Sequence, residues 1–183
     1  MTDFPLSLLS VALWAYLAGA AGALIFQRFE RLANGFGFGM AAAGGLCGLL
    51  SCGAGLASGM PAAHRSIELF PVFIPFVRFT IRADALGCFF GLIVSLLAVA
   101  LSVYSLGYAR TWFGRRNAGV LAALFNLLLL SISLVFLADH VLFFLIAWEL
   151  MALSACFLVC FEHEPDERRR GALLFFVMSH LGT

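Results

Sequence analysis

The sequence predicts an all-α membrane protein: five transmembrane helices plus a truncated sixth, with an extracytoplasmic β-hairpin between helices 2 and 3. Three observations carry that reading. The 183-residue chain is 63% hydrophobic and only 11% charged, where a soluble domain carries roughly a quarter charged residues; with a mean hydropathy of +1.03, a soluble fold is excluded. Five apolar runs each reach the ~20 residues that a helix needs to cross a ~30 Å hydrocarbon core. Between the second and third of them, Val77, Phe79 and Ile81 alternate with Arg78, Thr80 and Arg82, the period-2 pattern of a strand.

The helical runs occupy residues 5–27, 36–60, 85–108, 118–138 and 141–161. The N-terminus, Met-Thr-Asp-Phe-Pro, lacks the positive n-region of a signal peptide, and the first run is too long for an h-region. Ala18-Gly19-Ala20 has the small residues of a processing site and keeps cleavage as the minor alternative. A sixth apolar segment, 171–183, covers only ~20 Å at ~1.5 Å per residue, so the chain is expected to stop in mid-membrane. The connectors 28–35, 110–117, 139–140 and 162–170 are short and polar. The one long connector, 61–84, carries Pro61, Pro71 and Pro75, which break any helix there; the hairpin is expected at about 67–82.

Orientation follows from arginine, since all eleven basic residues are Arg and none is Lys. Arg28, Arg31, Arg110, Arg115, Arg116, Arg168, Arg169 and Arg170 fall on one side; Arg65, Arg78 and Arg82 fall on the other. The positive-inside bias places the first set in the cytoplasm and the N-terminus outside. A net charge of +1 offers no field for nucleic acid, and the apolar runs make the lipid bilayer the expected surroundings. Gly44 and Gly48, Gly55 and Gly59, and Ala15, Gly19 and Ala23 stand in small-xxx-small spacing, which suits close helix packing within the chain.

Chemistry centres on Glu149, set in Phe144-Leu145-Ile146-Ala147-Trp148-Glu149-Leu150-Met151-Ala152-Leu153. It lies eight residues into the fifth run, ~12 Å deep. An intramembrane carboxylate costs several kcal/mol to insert and by default marks function or pairing. Its helical neighbours Leu145, Ala152, Leu153 and Cys156 include two small ones, leaving room for a facing helix or a few waters. Desolvation and a movable cation act on such a carboxyl in opposite senses, which suits proton relay; the bland reading is a structural acid hydrogen-bonded between helices. His180, ~14 Å into the sixth segment, is the second relay candidate; the alternative is a lone His bonded to Ser179 or a backbone carbonyl. Asp139 and His140 are proton-path candidates at the outer mouth between helices 4 and 5, with a solvated turn as the competing reading.

Other polar features have plainer explanations. Asp84 opens the third run, where an acid caps free N–H groups and favours the helix dipole. Glu162, His163 and Glu164 invite a metal reading, but Pro165 and the mixed charges around it describe an exposed loop. Cys47, Cys52, Cys88, Cys156 and Cys160 sit in apolar stretches without ligand spacing and read as small buried hydrophobes. There is no phosphate loop, nucleophile elbow, metalloprotease helix, haem or cluster ligation pattern, so no cofactor and no metal are expected.

The stretch Phe79-Thr80-Ile81-Arg82-Ala83-Asp84-Ala85-Leu86, followed by Val103-Tyr104-Ser105-Leu106-Gly107-Tyr108-Ala109-Arg110, resembles the start of antiporter-like subunits of complex I, Mrp antiporters and group 4 membrane hydrogenases. Trp148-Glu149-Leu150-Met151-Ala152-Leu153-Ser154 is similar to the intramembrane glutamate motif of that family. Leu174-Phe175-Phe176-Val177-Met178-Ser179-His180-Leu181-Gly182 resembles the hydrogenase and formate hydrogenlyase branch, in which His at this position is a usual variant. The likeness covers residues 75–183 well and 1–74 by topology only. It implies one membrane domain, 1–183, that is the N-terminal piece of a fold of about fourteen helices in two inverted repeats. It also implies proton translocation coupled to redox chemistry in a peripheral arm, with other membrane and peripheral subunits as partners.

In that family the helix-5 Glu works against a Lys on helix 7, and this chain has no Lys. The expectation is therefore a split or truncated product, or an incomplete gene. The leading function is a proton-translocating subunit fragment of a hydrogenase or NADH-quinone oxidoreductase-type complex, itself at most a non-catalytic subunit. The alternative is a structural membrane module or non-functional remnant whose Glu149 is only packed.

Overall fold

Apolar runs without a polar stripe have no water-facing side, so each is free to form a helix long enough to cross a bilayer. A computed structural model describes residues 4–58, 66–70 and 79–161, together with Gly171, Leu174 and 176–178. Five helices follow the runs: α1 (Phe4–Ile25), α2 (Glu30–Ala57), α3 (Ala85–Tyr108), α4 (Ala118–Leu137) and α5 (Val141–Cys160). All five are long and apolar enough to span a membrane. A 3-10 turn, Ala109–Trp112, prolongs α3. The expected sixth segment lies mostly outside the described residues.

The start of α2 differs from expectation. Glu30 and Arg31 read as connector, yet they form the first turn, and only residues 26–29 turn the chain. The reason is electrostatic, and half of it is distant in sequence. Glu30 sits at the positive end of the helix dipole, and both its carboxylate oxygens accept from the Gly114 N–H, at 3.0 and 3.1 Å. Charge density alone is a poor marker of a boundary when the charge suits the helix end.

The starts of α3 and α4 are capped by side chains, whereas His140 at the head of α5 makes no side-chain cap bond. Asp84 accepts from the Gly87 N–H at 2.7 Å at the head of α3. Asn117 accepts from Gly119 N–H at 3.0 Å and Val120 N–H at 3.3 Å at the head of α4. Replacing Asp84 by Ala is expected to cost about 1 kcal/mol, measured as a lower midpoint of detergent-induced unfolding.

Helix α2 lies between α1 and α3, α4 closes against α1 and α2, and among the described residues α5 packs chiefly on α4. Glycines on two faces of α2 allow this. Gly44 meets the Tyr16 ring of α1, where an added Cβ would stand 2.7 Å from it, while Gly45 meets Val99 and the Ser95 backbone of α3. Gly44, Gly45 and Gly48 thus pack within the chain, while Gly59 lies outside the described residues. Tyr16, Ala41, Leu129, Leu130 and Phe143 form the main apolar cluster with Ile81 and Cys88.

Two strands, β1 (Ser66–Phe70) and β2 (Phe79–Arg82), pair antiparallel, with Ile67 opposite Ile81 and Glu68 opposite Thr80. Residues 71–78, where the rest of the expected hairpin lies, are outside the described residues. Strand β2 has a second neighbour. Ile81 bridges Ala138, the Asp139 N–H donates to Thr80 O at 3.0 Å, and Phe79 meets Phe143 edge-on at 5.1 Å. The strand is thereby stitched to the turn between α4 and α5, with Ile81 buried and Arg82 exposed as the period-2 pattern requires.

Candidate functional site on helix 5

Helix α5 begins at Val141, after His140 in an extended N-cap conformation. Phe143, Ala147 and Ser154, spaced by four and seven, are buried along one side of the helix. Glu149 stands one residue from Trp148 and is half-buried. Along its own stripe, Ala152 is 4% and Cys156 9% exposed, whereas Leu145, one turn earlier, is 41% exposed. The carboxylate thus sits where the helix surface passes from an exposed apolar face to a covered one lined by small residues. Trp148 packs on Phe144 at 5.8 Å, and its indole Nε1 is buried with no hydrogen-bond partner among the described residues.

The other sequence candidates lie elsewhere. His180 lies outside the described residues, as do Glu162, His163 and Glu164, so their readings stay as expectations. Asp139 is engaged by Arg82, Nε to Oδ1 at 3.2 Å, and its backbone carries the link to Thr80 already described. That is the geometry of a stitch between strand and turn. His140 has a buried Nδ1 with no partner among the described residues, but it is nine residues from Glu149, ~13 Å along the helix. Asp139 and His140 therefore do not join Glu149 in one constellation. All five cysteines are free thiols.

Sequence reading passed over Asn126, one of the fully buried polar side chains among the described residues. On α4 it is fully buried, and its Nδ2 donates to Gly37 O of α2 and Ala122 O of its own helix, both at 2.9 Å. Gly19 of α1 makes room for its Oδ1. Asn34 does the same between α2 and α3, donating to Leu106 O at 3.1 Å. The signal was there: a single amide in an unbroken apolar run is as unusual as a single acid. Asn126→Ala is expected to loosen α2 from α4 by about 1 kcal/mol, seen as earlier unfolding in mixed micelles.

No protein-family model matches the chain. It is 30% identical over 178 residues to hydrogenase-4 component B of Escherichia coli (strain K12), covering 97% of this chain and 26% of that protein. It is 36% identical over 110 residues to the uncharacterized protein Rv0083 of Mycobacterium tuberculosis, 60% of this chain and 17% of that one. A Staphylococcus haemolyticus protein that carries the name of an antiporter subunit, mnhA2, is 27% identical over 106 residues, 58% of this chain and 13% of that one. The chain spans no more than 26% of the length of these relatives. An alignment across nearly the whole chain, on a frame of five membrane-length helices, identifies a multi-pass membrane protein that belongs to the antiporter-like hydrogenase subunit family.

Proposed function

We propose that the chain is part of a proton-translocating subunit of a hydrogenase or complex I-type assembly, of the formate hydrogenlyase kind, in which Glu149 carries protons across the middle of the membrane. The observation that carries the reading is a single half-buried carboxylate midway along an apolar, membrane-length helix. Keeping a carboxylate at that depth is costly, and relay of a proton is the chemistry that a titratable oxygen pair in a low-dielectric site performs well. Small side chains at Ala152 and Cys156 leave space beside it for a partner group, with His180 as the candidate from this chain.

In this reading the protein sits in the cell (inner) membrane with its N-terminus outside. The strands β1 and β2 cap the helix ends on the outer face, and the eight-to-three division of arginines supports that orientation. The chain is one membrane domain, the N-terminal piece of a longer fold. Redox chemistry belongs to a peripheral arm, and other membrane and peripheral subunits complete the assembly. The relatives' names, a hydrogenase component and an antiporter subunit, support the class of assembly. The test is proton uptake into vesicles carrying the assembled complex, with Glu149 intact and with Glu149→Gln. Uptake by the intact complex that the variant lacks upholds the relay, and equal uptake by the two refutes it.

A further inference from the structure

The α1–α2 turn and the loop that leads into α4 border an open cleft of about 890 Å³. Arg28, Arg31, Arg115 and Arg116 line it, and the one acid among the lining residues is Glu30. That acid is already occupied by the Gly114 N–H. Gly114 has φ +73°, a backbone conformation open to glycine at little cost, and it lets the loop fold back onto Glu30. Asn117 Nδ2 donates to Gln27 Oε1 at 3.1 Å and ties the two walls together. Arg116 is held over the Trp112 and Phe161 rings, 5.4 and 5.7 Å from their centroids. Among the described residues no ion pair neutralises Arg28, Arg31 or Arg115. The cleft is open and cationic.

Its other feature is apolar. Phe29, 64% exposed, and Leu32, 59% exposed, form part of the same lining. The cleft lies where α1 ends and where α2 and α4 begin, and in a bilayer crossed by these helices such an end meets the headgroups. From this juxtaposition we infer that the cleft binds an anionic phospholipid, its phosphate held by Arg28, Arg31 and Arg115 and its acyl chains laid along Phe29 and Leu32. Guanidinium forks match phosphate oxygens two at a time, and basic pockets between membrane helices suit such headgroups. A free phosphate ion would use the arginines but gain nothing from an exposed Phe and Leu. The inference requires only that these helices span a bilayer, so it stands or fails apart from the Glu149 relay.

The test is native mass spectrometry of the complete protein in detergent. The probes are phosphatidylglycerol and phosphatidylcholine of identical acyl chains, and inorganic phosphate. Phosphatidylglycerol should be retained about tenfold over phosphatidylcholine. The R28Q/R31Q/R115Q variant should bring that preference close to one, while R28K/R31K/R115K keeps most of it and shows that the fold survives the substitutions. Phe29→Ser with Leu32→Ser should weaken retention of both lipids and leave the charge preference. Equal retention of the two lipids by the unaltered protein, or an undiminished preference in the Gln variant, overturns the proposal. So does inorganic phosphate that displaces the lipid at matching concentration, which would mark a simple anion site. Loss of soluble subunits from the isolated complex in the Gln variant, with lipid retention unchanged, would assign the cleft to a protein interface instead.

Discussion

Glu149→Gln is expected to stop proton movement in the assembled complex, by a factor on the order of a hundred, while the complex still assembles. The amide keeps the volume and two polar atoms of the carboxyl. It cannot take up and release a proton in the physiological range, and that is the property a relay uses. Placing a neutral amide at this depth also costs less than placing a carboxylate, so the helix bundle should tolerate it. Glu149→Asp retains a titratable group but draws it back by one methylene, and partial recovery of the rate would show that position as well as charge matters. A purely structural acid behaves in the opposite way. It would accept Gln silently and disturb assembly only on truncation to Ala, because the site beside Ala152 and Cys156 would then lose its filling side chain. Proton uptake and subunit composition, measured on the same preparations, separate the two behaviours.

The helices were legible because a membrane-length apolar run has few alternatives. The strand was legible at β2, where Ile81 turns inward and Arg82 outward. What periodicity cannot show is the partner on the far edge. The pairing of Ile81 with Ala138, and of Asp139 with both Thr80 and Arg82, joins segments more than fifty residues apart. Asp139 consequently looked like an isolated mouth residue. The head of α2 was missed for a similar reason, since the group that steadies Glu30 is the distant Gly114. Asn126 carries no titratable group to mark it in the sequence, although a buried amide has the same need for partners as a buried acid. Glu149 stood out in the sequence because carboxylates are rare in such runs. Its place midway along α5 followed from counting residues, while its half-buried setting and the covered stripe beside it required the packing.

The largest stability effect is expected at Gly119, in the first turn of α4. An added Cβ there would stand 2.6 Å from the Ala23 carbonyl oxygen of α1 and 3.0 Å from the Gln27 Cα. Both obstacles are backbone, so no side-chain rotation relieves them, and Ala23 itself has no exposed surface along which to yield. The two helices would have to part at the point where Asn117 caps α4 and bonds Gln27. Gly119→Ala should therefore cost about 2 to 3 kcal/mol, despite removing a glycine from a helix. Gly39→Ala supplies the control. Nothing lies within 4 Å of a Cβ built at Gly39, so that change should stabilise α2 by at most about 1 kcal/mol. Unfolding midpoints in mixed micelles should move in opposite directions for the two variants. If both rose, helix propensity would outweigh contact at Gly119 and α1 would not lie as close to α4 as the packing places it. If both fell, glycine would be favoured on α2 for a reason other than space.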